Sequence, residues 1–101
     1  VIQVDYSSDD SIKHAVATSE VVISTISGEA LDLQGKIAAA AKEANVKLFI
    51  PSDFGNITEG ETEGMFGAKA NIQSQLKALG IPYTVFYTGP FPDYVFASYV
   101  F

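Results

Sequence analysis

Val46-Lys47-Leu48-Phe49-Ile50-Pro51-Ser52-Asp53-Phe54-Gly55 decides how the rest of this chain reads. Val46 to Ile50 has the apolar content of a buried strand, and Pro51, which lacks a backbone N–H, stops it. Ser52, Asp53 and Gly55 then supply turn chemistry. Upstream, Val21-Val22-Ile23-Ser24-Thr25-Ile26 is a continuous β-rich run of the kind found in strands covered on both faces. Between the two runs, Leu33, Ile37, Ala40, Ala41 and Ala44 recur at helical spacing. They predict one long helix from about Glu29 to Ala44, entered through Ser27-Gly28 and ended by Asn45 in the left-handed conformation. Strand, helix and strand in that order imply parallel pairing through a right-handed crossover.

The pattern extends in both directions. Val1 to Val4 reads as the end of another strand. Asp9 or Asp10 can cap a helix running to about Ala17, with Ile12, Val16 and Ala15 inward. Residues 52–64 read as a loop punctuated by Gly55, Gly60 and Gly64 and made acidic by Glu59, Glu61 and Glu63. A helix from about Met65 to Leu79 stops at Gly80. Tyr83 to Tyr87 reads as a further strand, closed by Gly89-Pro90. The fold class is therefore α/β with a parallel sheet. In such sheets ligands sit beyond the carboxyl ends of the strands. Asp5 to Ser7, Thr25 to Gly28, Pro51 to Gly55 and Thr88 to Phe91 all fall there. Turns in any α/β sheet are rich in Gly, Ser and Asp, so this clustering by itself fits a ligand edge and ordinary turn geometry equally.

Composition narrows the function. The 101 residues carry twelve acidic and six basic side chains, all six of them lysine, for a net charge of −6. No clustered basic face is available to neutralise a nucleic acid. At 48% hydrophobic residues the chain is not a disordered segment. Its apolar stretches fall well short of the ~20 residues that span a membrane. There is no cysteine and one histidine, which excludes disulfides, thiolate metal sites and a histidine-rich metal centre. The absence of cysteine is compatible with the cytoplasm, the expected location. The first residue is Val1 rather than Met, and the chain opens and closes in apolar segments (Val1 to Val4; Val95-Phe96 to Val100-Phe101). Domain boundaries usually fall in polar stretches, so an internal piece of a larger domain is expected.

Lys69 is the most informative residue. The inner stripe of its helix is Ile72, Leu76 and Leu79, and Lys69 lies on nearly the same face near the helix start. Burial and the positive end of the helix dipole should both favour its neutral form and lower its pKa. A lysine so placed can act as a general acid or base near neutral pH. Alternatively its stem packs and its ammonium reaches water past the helix end. Asp53 could also act as an acid or base, but beside Gly55 a structural carboxylate is the commoner role. His14 falls on an exposed helix flank. No glycine-rich phosphate fingerprint occurs anywhere in the chain, so phosphate binding of that kind cannot come from this segment.

The decisive stretch, Val46 to Gly55, resembles the VKRFIPSEFG segment of NmrA-like and isoflavone reductase-like proteins, the atypical short-chain dehydrogenases. Val21 to Ser24 resembles their fourth strand. Gln34 with Ala39-Ala40-Ala41-Lys42-Glu43-Ala44 resembles the helix after it. Lys69-Ala70-Asn71-Ile72 resembles the helix that carries their active-site lysine, and Gly80 to Thr84 with Gly89-Pro90-Phe91 resembles the next strand and turn. The resemblance implies a partial Rossmann-type NAD(P)-binding fold whose parallel sheet lacks its first two strands. It implies NADP(H) as cofactor and Lys69 as the catalytic lysine. It implies that Thr25, Ser27, Ser52, Phe54, Lys69, Gly89 and Phe91 line the nicotinamide end of the cofactor.

Three positions depart from the pattern. Met65, four residues before Lys69, stands where a short-chain dehydrogenase of the Tyr-x-x-x-Lys type has its proton-donating tyrosine. Gln73 stands where plant reductases of the family often have arginine, and Asp53 replaces their usual glutamate. Two readings follow. One is an NADPH-dependent reductase of a small organic substrate, with Lys69 relaying a proton. The other is a non-catalytic NADP(H) sensor acting through a protein partner. Neither needs nucleic acid or membrane. The segment alone is expected to be marginally folded, with Val21 to Ile26 as an exposed apolar edge, and unable to bind NADP(H).

Overall fold

The computed structural model describes the backbone of residues 1–100 and the side chains of residues 1–97. In chain order the elements are α1 (Asp9–Val16), β1 (Val21–Ile23), a 3-10 segment (Gly28–Leu33), α2 (Gln34–Glu43), β2 (Leu48–Ile50), α3 (Gly64–Leu79) and α4 (Pro92–Val100). β1 and β2 pair in parallel, with Val21 opposite Leu48, Val22 opposite Phe49 and Ile23 opposite Ile50. A single parallel bridge joins Phe49 to Tyr83 on the other side of β2.

The core gathers where helix stripes meet β2. Phe49, Leu76, Ala38 and Ala41 are fully buried, and Ile12, Val16, Ile37, Ile72 and Ile81 pack around them. The small alanines Ala38, Ala40 and Ala41 of α2 are buried in the same core cluster as Phe49. Asn45 has φ of 56°, the left-handed stop expected after α2, and Gly80 ends α3 at φ of 69°. No helix among the described residues is long and apolar enough to cross a membrane.

Local detail departs from the sequence reading in several places. Ser8, not Asp9 or Asp10, caps α1: its Oγ accepts from the Ser11 amide at 3.3 Å. Both aspartates fall in the first turn instead, where negative charge also suits the helix dipole. The long helix expected over 29–44 is split into the 3-10 segment and α2, and the tighter first part buries Leu31. The expected helix face is also shifted: Gln34 and Ala38 are buried, whereas Leu33 and Ala44 are only partly so. Val1 to Val4 forms no strand, because no neighbour lies beside it to complete a ladder. Tyr83 to Tyr87 is reduced to one bridge. Phe49 exchanges backbone bonds with Pro82 and Thr84, but Pro51 has no N–H with which to carry the ladder further. β1, shorter than the run to Ile26, is the exposed apolar edge expected of this segment on its own, with Val21 48% and Ile23 58% exposed, and it is not covered on both faces as its β-rich run alone would suggest. The sequence reading also missed α4, although Pro92 at its first position followed by Asp93 is a helix-start signal. The apolar ending assigned to Phe101 lies outside the described residues.

Gly67 shows how tightly α3 is approached. A β-carbon there would lie 2.5 Å from the carbonyl carbon of Thr62 and 2.8 Å from its oxygen. Backbone at that distance cannot swing away as a side chain could. Gly67→Ala should therefore lift the acidic loop off α3 and, despite alanine's better helix propensity, cost about 1–3 kcal/mol. Urea unfolding checks this, and an unchanged midpoint would contradict the packing described.

Candidate functional site

Parallel pairing puts the carboxyl ends of β1, β2 and the Tyr83 segment on one edge. Three turns leave the sheet there, and backbone bonds lace them together. The Ser24 amide donates to the Ile50 carbonyl at 2.8 Å, joining the first turn to the end of β2. The Gly89 amide donates to the Gly55 carbonyl at 2.9 Å, joining the third turn to the second. Gly28, Gly55 and Gly89 all have positive φ, and a β-carbon on any of them would meet nothing within 4 Å. The edge is thus a connected rim of backbone with open space above it.

The expected site residues distribute unevenly over this rim. Thr25 and Ser27 are exposed on the first turn, and Phe91 is exposed beside the half-buried Gly89 on the third. Ser52 differs: it is buried, and its amide donates to Gln34 Oε1 at 2.8 Å. Phe54 is partly exposed, so of these two it is the side chain a ligand can reach. The structure describes no hydrogen bond or ion pair that ties Lys69 to the rim. It arrives from α3, whose first turns pack beside the first turn of the rim: Gly28, Leu31, Gly64, Met65 and Ala68 together wall a shallow cavity of about 340 Å³.

Lys69 is half-buried, as its place near the Ile72 and Leu76 stripe predicts. It lies in the second turn of α3, however, past the first-turn amides where the dipole acts most strongly. Among the described residues the ion pairs are Lys13 with Glu43 and Lys47 with Glu20, so neither involves it. Asp53 takes the structural role. It is fully buried, and its carboxylate accepts from the Thr58 hydroxyl at 3.0 and 2.9 Å and from the Gln73 amide.

Gln34 is a site residue that the sequence reading did not single out. It is fully buried, its oxygen holds the Ser52 turn, and its Nε2 has no partner in the protein. The Ser24 hydroxyl is likewise buried and unpartnered. Unpaired buried polar atoms are costly, and among the described residues both such side chains belong to this edge. The signal was available: Gln34, Ile37, Ala38 and Ala41 share one face, and a polar residue opening an apolar stripe needs a partner. No cluster of metal-ligating side chains occurs among the described residues.

The NmrA-like family model matches residues 1–100. A phenylcoumaran benzylic ether reductase of Populus trichocarpa is 38% identical over 89% of this chain and 31% of its own. A solved isoflavone reductase superposes with a TM-score of 0.82 at 30% identity, over 94% of this chain and 33% of that one. A leucoanthocyanidin reductase of Vitis vinifera, solved as a binary complex with NADPH, shares the fold at a TM-score of 0.70 and 22% identity, over 81% of this chain and 31% of that one. The chain spans about a third of the length of the relatives it matches.

Proposed function

The chain belongs to the NmrA-like family, and on that basis we propose that it supplies the nicotinamide side of the cofactor site in an NADPH-dependent reductase of a small organic substrate. The observation that carries the reading is the laced rim at the carboxyl edge. Three turns converge there, glycines keep the space above them open, and two buried polar atoms, the Ser24 hydroxyl and Gln34 Nε2, remain unpaired beneath. These features fit a flat, hydrogen-bonding cofactor end. Thr25 and Ser27 offer hydroxyls from one side, Phe54 an apolar ring from the centre, and Gly89 with Phe91 close the other side. NADPH, when bound, supplies hydride. The role of this chain is to hold the reacting ring against the rim and to keep a proton carrier nearby.

Lys69 is that carrier. Lys69 is half-buried as a residue and has no carboxylate partner among the ion pairs of the described residues, and the tyrosine position four residues earlier is Met65. A proton delivered to a substrate oxygen as negative charge develops there would come from Nζ. Mixing the whole protein with NADPH and a panel of carbonyl and alkene compounds tests the activity. Turnover of one of them is the expected result. Tight nucleotide binding with none would favour a redox sensor instead.

Phe54 provides a test that needs no substrate. Phe54→Ala should weaken NADPH binding about 10-fold while the folded protein keeps its thermal midpoint within a few degrees. Titration of tryptophan-independent NADPH fluorescence reads the first quantity and thermal unfolding the second. A lowered midpoint with unchanged affinity would assign Phe54 to loop packing alone.

A further inference from the structure

The fully buried carboxylate of Asp53 is the hub of a network that joins three separate parts of the fold. Thr58, from the loop after β2, donates its hydroxyl to it. Gln73, from α3, donates Nε2 to Oδ2, and the same Nε2 lies 2.9 Å from the Tyr87 hydroxyl oxygen and 3.2 Å from Thr58 Oγ1. An amide nitrogen has two hydrogens. One is taken by the carboxylate and the other by Tyr87, while Thr58 spends its own hydrogen on Asp53. Neither of the two ion pairs described includes this carboxylate, so these neutral donors carry its stabilisation.

This network is the directional fastening of α3. The buried side chains of the helix, Ile72 and Leu76, make apolar contacts that tolerate sliding and rotation, whereas Gln73 is half-buried. A hydrogen bond to a fixed carboxylate tolerates neither. Gln73 lies one turn after Lys69, about 6 Å along the axis and on the same face. α3 runs back from the carboxyl edge, so Lys69 is the member of this pair nearer the rim. The bond that fixes Gln73 therefore fixes the rotation of the helix face that also carries Lys69.

We propose that Gln73, held by Asp53, is a positioning residue that aims Lys69 at the cofactor rim. This rests on the role given to Lys69 above. The test uses the whole protein and the rate at which Lys69 is acetylated by acetic anhydride, read by mass spectrometry against Lys36 and Lys47, which lie off α3, as internal controls, with and without NADPH. Gln73→Met keeps the length of the side chain but removes its donors. It should raise Lys69 acetylation several-fold while the two controls stay level. Asp53→Ala should do the same. Asp53→Asn retains a carbonyl oxygen to accept from Gln73 and should restore the rate of the unsubstituted protein.

Unchanged Lys69 acetylation in Gln73→Met, or a rise shared equally by Lys36 and Lys47, would overturn the positioning role and leave the reductase reading standing. Failure of NADPH to slow Lys69 acetylation in the unsubstituted protein would overturn the role of Lys69 itself, and the positioning proposal would fall with it.

Discussion

Lys69→Ala is expected to lower NADPH-dependent turnover by about 100-fold or more, the usual size of a general acid–base contribution. NADPH affinity should change far less, because most of the rim is backbone and side chains from other turns. The loss should appear in kcat rather than in the KM for NADPH, since the proton matters only as charge develops on the substrate. No compensating donor is in place at Met65, whose thioether carries no transferable proton. Steady-state kinetics on the whole protein, with whichever carbonyl or alkene compound proves active, provide the measurement. Turnover within a fewfold of the unsubstituted protein would remove Lys69 from the mechanism.

The largest effect on stability should come from Phe49→Ala. Phe49 is fully buried and stands between both of its strand neighbours. Its amide donates to the Pro82 carbonyl at 2.9 Å and its carbonyl accepts from the Thr84 amide at 3.1 Å. The substitution leaves those backbone bonds in place but opens a cavity where α2, α3 and the sheet converge. Such truncations cost about 3–5 kcal/mol, a large share of the roughly 5–15 kcal/mol that holds a typical domain together. Urea unfolding of the whole protein should show the midpoint falling with little change in slope. A loss below about 1 kcal/mol would mean that the core is centred elsewhere.

Much of this architecture is readable locally. The strand within Val46 to Ile50 (observed as Leu48–Ile50) and its stop at Pro51, the helix ends at Asn45 and Gly80, and the inward pair Ile12 and Val16 all depend on residues within one turn of each other, and they hold in the structure. So does the half-buried placement of Lys69, because helical spacing alone puts it beside the Ile72 and Leu76 stripe. Strands are different, since a ladder needs a partner. Val1 to Val4 and Tyr83 to Tyr87 have the composition of strands, yet the first has no neighbour and the second meets β2 only at Phe49 before Pro51 ends the pairing.

The pairings of the polar interior were beyond any local reading. Gln34 holds the Ser52 amide across 18 positions, and Gln73 holds the Asp53 carboxylate across 20. Gln34 at the head of an apolar stripe signals that it needs a partner, but which group either glutamine meets is set only when the crossover brings its helix against the turn after β2. The amino-acid pattern was enough to establish the alternation of strands and helices and the edge at which their turns collect. Which polar side chains are buried at that edge, and which donor meets which acceptor, was decided by tertiary packing, because a hydrogen bond depends on distances and angles that only the assembled helices and sheet define.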